Sequence, residues 1–296
     1  MYLYLRMNVK GTIRKLRLHL CRASVIRAEW PFPDAKPDFR HPRDINEKIQ
    51  WLIGSRHSKE WSRYADKIAV REYVSACGYS HLLVPMLGSW KHAADIPWNE
   101  LPQKFVLKCN HDSGSTVVVD RNAPDFDISA VSSFLERKLR RSFGYVNGEF
   151  FYDRIRPRIL AEALLPLPEG SASIPDYKVW CFDGRPYCIW ACVNRSSGSV
   201  EVRTYSSDWV PLPGVDASTG HYHTLDRPLP PPEHLKEMLE AAAKLSKGFP
   251  EVRVDFYEAG GSLYFSEMTF SAYGGKIDFH TPGFLRELGD QCKLPL

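Results

Sequence analysis

The chain has 296 residues, 44% of them hydrophobic and 25% charged, enough to bury a substantial core in one or two domains. Its 39 Lys/Arg against 35 Asp/Glu give a formal net charge of +4, a modest excess, and no nucleic-acid partner is expected. No apolar run approaches a membrane span, and there is no repeat, low-complexity tract or Gly/Ser linker, which excludes membrane-spanning, repeat and linker-dominated classes.

The positive charge gathers at the start. MYLYLRMNVKGTIRKLRLHLCRASVIRAEW holds seven Lys/Arg before its first acid, Glu29. This is not a signal-peptide pattern, because no clean apolar core precedes a small-residue cleavage site. Two readings of the basic segment, residues 1–40, stay open: a structural helix, or a surface lying on an anionic membrane. The seven cysteines are odd in number and include no CxxC. Cys181, Cys188 and Cys192 sit in the runs VWCF and CIWAC and read as small buried hydrophobes. A reducing, cytoplasmic compartment follows, with the inner membrane face as the site if the basic segment binds lipid.

RDINEKIQWLIG opens with a capping box, Asp44 and Glu47, ahead of Ile49, Leu52 and Ile53, and predicts a helix. YADKIAVREYVSACGY keeps helical spacing through Ala65, Ile68, Ala69, Tyr73 and Ala76 and stops at Gly78. Residues 79–84 read as a short strand and 85–103 as irregular, closing a region that spans 41–103. In KFVLKCN, alternation puts Phe105, Leu107 and Cys109 on one face. TVVVD follows as a second strand, so 110–115 joins an antiparallel pair. A helix is expected over 129–143, then a strand at RILAEALL, closing a unit at 104–165. In the last unit, 166–296, DYKVWCFDGRPYCIWACVNR folds back at Asp183-Gly184 as a hairpin. Residues 206–232 read as irregular. PEHLKEMLEAAAKLSKGFP places Leu235, Met238, Ala242 and Leu245 on one helical face and stops at Gly248 and Pro250. The strands EVRVDFY and SLYFSEMTF turn at 259–262. This order argues α+β, not regular βαβ units.

Two patterns carry chemistry. If the last hairpin turns at 260–261, Asp255 lies nearly opposite Glu267, and facing carboxylates repel unless a cation sits between them. Mg²⁺ suits that place, since it takes a few carboxylates while keeping waters and phosphate oxygens. The competing reading is a solvated face whose acids pair with Arg253 and a lysine. The second pattern is Lys108 before HDSGS, either a surface hairpin or a flap whose backbone N–H groups fold over a phosphate. It matches no nucleotide signature by itself, and GxxxxGK[ST] is absent.

Taken in order, NEKIQWL, YADKIAVREYV, LPQKFVLKCNHDSGS, DYKVWCFDGRP, LSKGFPEVRVDFY and YFSEMTFSAYGG resemble the TupA-like ATP-grasp family, associated with teichuronopeptide and other cell-surface polymer synthesis. The resemblance runs from about residue 40 to the C-terminus. It implies an ATP-grasp fold of antiparallel sheets, with the nucleotide between two α+β subdomains, and ATP and Mg²⁺ as cofactors. It makes Lys67 the first phosphate-binding lysine and Lys108 the second, with Ser113, Gly114 and Ser115 closing over the β- and γ-phosphates. Glu162 resembles the acid that opens the hinge, where the backbone of Ala163, Leu164 and Leu165 reads adenine. Lys178 matches a basic position near the transferred phosphoryl group, and Arg253 one that steadies an acylphosphate or oxyanion. Asp255 and Glu267 match the magnesium carboxylates. Thr269 stands where many ATP-grasp enzymes have asparagine, which weakens the expected hold on a second Mg²⁺.

The implied reaction is carboxylate–amine ligation through an acylphosphate, in which lysines and Mg²⁺ offset the repulsion between two anions. The partners are then carboxylate and amine substrates, small or polymer-linked; the oligomeric state is left open. Arg195 divides between an acceptor-anion site and a structural ion pair. His111 reads as a local hydrogen-bonding residue, Tyr257, Trp180 and Trp190 as core or pocket wall, and His221 and His223 as loop residues. Two alternatives remain: a kinase acting on a sugar or similar hydroxyl, and a non-catalytic protein that binds a polyanion or membrane.

Overall fold

A computed structural model describes residues 24–32, 34, 36–196 and 198–295. The two readings of the basic N-terminal segment therefore fall largely outside the described residues. Among those residues, no helix is long and apolar enough to cross a membrane.

Helix α1 (Ile45–Gly54) begins as its sequence predicts. Asp44 accepts from the Glu47 N–H at 2.8 Å and Glu47 accepts from the Asp44 N–H at 3.3 Å, satisfying amides that the helix itself leaves open. Its apolar face, Ile45, Ile49, Leu52 and Ile53, is buried. Two buried amides on the same helix reach across the chain. Asn46 donates to the Ile277 carbonyl at 2.9 Å and accepts from the Ile277 N–H at 2.8 Å, and Gln50 donates to the Gly274 carbonyl.

The single helix expected next is two: α2 (Trp61–Ala65) and α3 (Val70–Ala76). Asp66 takes extended backbone (φ −72, ψ 113), and its carboxylate accepts from the Ile68 N–H at 2.8 Å and the Asn110 side chain at 2.9 Å. A short acidic side chain competes here with the helical ladder and wins. Lys67 consequently sits in a turn rather than on a helical face.

Residues 80–82 form a 3₁₀ turn, not the strand expected at 79–84, and Leu83 makes only one bridge, to Phe265. The strand begins after Pro85, as β1 (Met86–Trp90), inside the stretch read as irregular. It pairs with β4 (Ile159–Ala163), which pairs with β2 (Lys104–Cys109), which pairs with β3 (Val117–Asp120), in an antiparallel sheet of order β1-β4-β2-β3. Phe105, Leu107 and Cys109 are fully buried in one core with Leu135 of α4 (Ile128–Leu139). Lys108 is left on the opposite face. A short helix, α5 (Phe143–Asn147), leads from α4 toward β4.

The second sheet contains β5 (Asp176–Phe182), β6 (Arg185–Val193), β7 (Val200–Ser206), β8 (Tyr222–Thr224), β9 (Val252–Ala259) and β10 (Ser262–Thr269), in the order β10-β9-β5-β6-β7-β8. All pairs are antiparallel except β7–β8, which is parallel. Strand β8 lies in the 206–232 stretch expected to be irregular; at three residues it is too short for periodicity to reveal. The β5–β6 turn has Asp183 at φ 48 and Gly184 at φ 78, the left-handed pair that a two-residue hairpin requires. Helix α6 (Leu235–Ser246) buries Met238, Ala242 and Leu245 as its spacing predicts, and α7 (Pro282–Gln291) packs against α1.

These elements make an α+β fold. Asn46→Ala removes both partners of the buried Ile277 backbone groups. It is expected to cost about 2–4 kcal/mol, on the scale of 1–3 kcal/mol for each buried group left unmade. Denaturant unfolding should show that loss, and hydrogen exchange should rise at 274–278; an unchanged midpoint would show that water replaces the amide at no cost.

Candidate active site

Strands β5 and β9 set four charged side chains, Asp176, Lys178, Arg253 and Asp255, in one buried row, with Glu267 of β10 at its open edge. Lys178 pairs with Asp255 across β5–β9, and Asp255 with Glu267 across β9–β10, the facing carboxylates that the hairpin count predicts. The surroundings are not the solvated face of the competing reading. Asp255 is 0% exposed, and Arg253, Lys178 and Asp176 are also buried. Arg253 donates to Asp255 from Nε at 2.7 Å and from Nη2 at 2.8 Å. Lys178 Nζ lies 2.8 Å from Asp255 and 2.6 Å from Asp176. Arg195, at the end of β6, reaches Asp176 at 3.4 Å, and its side chain stays 43% exposed. It is thus ion-paired on one side and open to solvent on the other.

Burial disfavours every charge in this row, and pairing decides the outcome. Asp255 is held below the ordinary 3.8 because Arg253 and Lys178 outweigh its desolvation. Burial also opposes the charge of Lys178, yet Asp176 and Asp255 hold its ammonium well above the usual lysine value. Asp176 is raised, by burial first and by repulsion from Asp255 in addition. The stability that Asp255 contributes is therefore complete above its unfolded value and lost as pH falls through the lower folded one.

A cleft of about 840 Å³ opens above the row, lined among others by Lys67, Ser113, Lys178, Arg195, Glu267 and Thr269. Arg253 also reaches its wall, whereas Asp255 lies beneath. Glu267 is the open carboxylate, with its side chain 39% exposed and Lys67 Nζ 3.9 Å away. The Thr269 hydroxyl donates to Glu267 at 3.3 Å. Trp190 is both core and cleft wall, stacked on Phe279 at 4.0 Å.

The loop over 110–116 meets this cleft at Asp112 and Ser113. Lys67 holds it there, its N–H on the Asn110 carbonyl at 3.2 Å and its Nζ on the Asp112 carbonyl at 2.6 Å. Gly114 takes φ +79 and its carbonyl accepts from Lys138. Ser115 is buried and occupied, accepting from the Cys109 N–H and donating to Asp112 at 2.5 Å. Only Ser113 of the three expected loop residues therefore lines the cleft. His111 is buried behind the loop, and burial pushes its pKa down.

Lys108 and Glu162 form a separate cluster on the four-stranded sheet. Their side chains meet at 2.5 Å, and Arg71 stands 3.4 Å from Glu162 while donating to the Val84 carbonyl. The Ala163 amide is committed to the Pro85 carbonyl at 2.9 Å, so its N–H is not open to an adenine edge. Leu164 and Leu165 lie past the end of β4, and Leu164 is exposed. His221 donates from Nδ1 to the Gly198 carbonyl at 3.2 Å, and His223 is on β8 rather than in a loop.

Two carboxylates and a hydroxyl are the hard oxygen donors that Mg²⁺ takes, and it needs only one or two carboxylates when phosphates complete its sphere. Among the described residues no group of three or more His, Cys, Asp or Glu is placed to hold a metal ion by itself. Glu267 is reachable from the cleft. Asp255 is reachable only if Lys178 and Arg253 share it.

Sequence reasoning missed Asp176, Arg71 and Asp112. Asp176 stands two residues before Lys178, so the alternation applied to β9 would have placed both on one face of β5. Arg71 follows Lys67 by four residues. The role of Asp112 depends on the loop closing, for which spacing carries no signal.

The sequence model described as TupA-like ATPgrasp matches residues 47–293. No curated protein matches the chain. Among solved structures it is similar to the ATP-grasp ligase PsnB complexed with a minimal precursor, at 12% identity and TM-score 0.41, over 84% of this chain and 63% of that one. It is also similar to D-alanine–D-alanine ligase from Bacillus anthracis complexed with ATP, at 15% identity and TM-score 0.44, over 78% and 65%. A third similarity is to D-alanine–D-alanine ligase from Helicobacter pylori, at 15% identity and TM-score 0.42, over 86% and 70%. The chain spans less than two thirds of the first two. With the family matched from the first motif helix to the last, the chain belongs to the TupA-like ATP-grasp family.

Proposed function

We propose that this protein is an ATP- and Mg²⁺-dependent carboxylate–amine ligase that works through an acylphosphate and adds an amino acid or peptide to a cell-surface polymer precursor. One observation carries the reading. Lys67, Lys178, Arg253 and Arg195 converge on the cleft where Glu267 and Thr269 open, so cations and hard oxygen donors share one site.

Each side chain has a task suited to its position. Lys67, anchored to the loop, offsets phosphate charge and draws Ser113 with it. Lys178 and Arg253 face the place where negative charge develops, and being buried and paired they need little reorganisation there. Arg195, half exposed at the rim, is placed to receive the carboxylate of the acceptor. The bound Mg²⁺ would supply charge neutralisation between phosphate oxygens, held by Glu267 and Asp255 with Thr269 beside them. Lys108, Glu162 and the backbone at 164–165 are assigned to the nucleotide end, with Arg71 fixing Glu162.

Asp255→Asn and Glu267→Gln are each expected to lower turnover by about 10²-fold or more, the scale for losing one electrostatic stabiliser. Their stabilities should diverge. Asp255→Asn leaves Lys178 and Arg253 buried with less counter-charge and should cost on the order of 3 kcal/mol, whereas Glu267→Gln should change stability by less than about 1 kcal/mol. ADP release and melting temperatures in EDTA measure both. Full turnover in either variant would remove the metal reading.

The loop offers a second test. Hydrogen exchange at 110–116 should slow when Mg²⁺ and a non-hydrolysable ATP analogue are added, and hydroxylamine should trap an acylphosphate once a carboxylate substrate is supplied. Equal exchange with and without nucleotide would return the segment to an ordinary hairpin. Phosphorylation of a hydroxyl with no hydroxamate formed would replace the ligase by a kinase.

A further inference from the structure

A second concavity lies at the loop end of the four-stranded sheet, with a volume of about 480 Å³. Its cations come from three places in the chain. Lys91 follows β1, Arg140 ends α4, and Arg156 and Arg158 precede β4. Glu136 is the one acid among its lining residues, and it is engaged: it accepts from the Ala93 N–H at 2.8 Å, with His92 at 3.8 Å and Arg140 at 4.0 Å. Four cations thus meet one committed carboxylate.

The rest of the molecule makes this unusual. Seven of the 39 Lys/Arg precede Glu29, leaving 32 against 35 Asp/Glu. A net-negative body therefore gathers like charges in one groove, which raises their mutual repulsion unless an anion joins them. Arg140 at the C-terminal end of α4 has an ordinary role in offsetting the helix dipole. That account does not reach Lys91, Arg156 or Arg158. Arg158 is also fixed in place, donating to the Ser89 carbonyl at 2.9 Å and its hydroxyl at 3.2 Å.

The groove adjoins the proposed active site by two routes. Arg141, next in sequence to Arg140, lines the 840 Å³ cleft. Asn110, where the loop begins, is bonded to the groove wall three times: its N–H to the Arg158 carbonyl at 3.0 Å, its side-chain oxygen from the Arg158 N–H at 2.7 Å, and its side-chain nitrogen to the Arg156 carbonyl at 3.1 Å.

We infer that this groove binds a chain of repeated carboxylate or phosphate groups, the distal part of an acceptor whose reacting end enters the cleft past Arg141. The anion site stands on the groove alone; its service to the acceptor rests on the ligase reading. A concave wall that gathers cations from three chain segments suits a single anionic chain, whereas a flat lipid surface would meet projecting cations.

The test uses the full chain and the double variant Lys91→Gln/Arg156→Gln, both residues being exposed and outside the catalytic row. Fluorescein-labelled oligoglutamate and linear polyphosphate are titrated in saturating Mg²⁺–ADP, phosphatidylglycerol vesicles serve as a third probe, and Mg²⁺–ATP affinity is measured separately. The expected result is at least tenfold weaker binding of one oligoanion by the variant, unchanged Mg²⁺–ATP affinity, and exchange protection at 88–92 and 154–158. Which oligoanion binds identifies carboxylate or phosphate as the repeating group. Equal oligoanion affinity in both proteins, protection confined to residues 1–28, or vesicle binding without oligoanion binding each overturns the inference. Oligoanion binding at the groove with no Mg²⁺–ATP binding would keep the anion site and sink the ligase reading.

Discussion

The ion-paired row through Asp176, Lys178, Asp255 and Arg253 is the constraint on which the rest of the site depends. Two cations and two carboxylates are buried together, with Lys178 between two acids at 2.6 and 2.8 Å. Isolated, any one of them would be expelled or neutralised, because the desolvation of a charge exceeds what a single imperfect contact returns. Together they also fix register. A one-residue slip of β5 against β9 would turn Lys178 away from Asp255 and into the opposite face. The register that aligns Asp255 with Glu267 and the pairing that neutralises Asp255 are therefore one structural fact.

That neutralisation reverses a conclusion drawn from the sequence. Facing carboxylates suggest repulsion that a metal between them has to relieve. In the structure Asp255 already has Arg253 and Lys178, for which it is the counter-charge. The alternative of a solvated face fares no better, since it names Arg253 and a lysine correctly but places them in water. What the sequence lacked was the identity of the strand beside β9. Alternation within a hairpin shows which residues face each other across two strands; it does not show that β5 completes the row.

Legibility elsewhere follows the same division. The capping box of α1, the alternation of Phe105, Leu107 and Cys109, the Asp183-Gly184 turn and the α6 face are local, and local chemistry determines them. The break at Asp66 is not local. Asp66 leaves the helix in company with Asn110, forty-four residues away, and that long-range bond sets Lys67 against the loop. Similarly β8 and β1 exist because β7 and β4 offer edges to pair with, and Ser115 turns inward because Asp112 and the Cys109 amide await it.

The motifs that carry the family resemblance consequently differ in what they do. NEKIQWL contains none of the charged groups of the cleft, yet Asn46 and Gln50 grip the backbone at Ile277 and Gly274. The segment they hold, 271–278, forms one wall of the cleft, with Ser271, Tyr273 and Lys276 among its lining. Tyr273 sits there at φ 53, a left-handed backbone that costs a non-glycine residue on the order of 1 kcal/mol or more. A strained wall persists only where its surroundings over-determine it, and the two amides of α1 are those surroundings. The first motif thus acts at the site through position alone, while the charged row beneath the cleft supplies the chemistry.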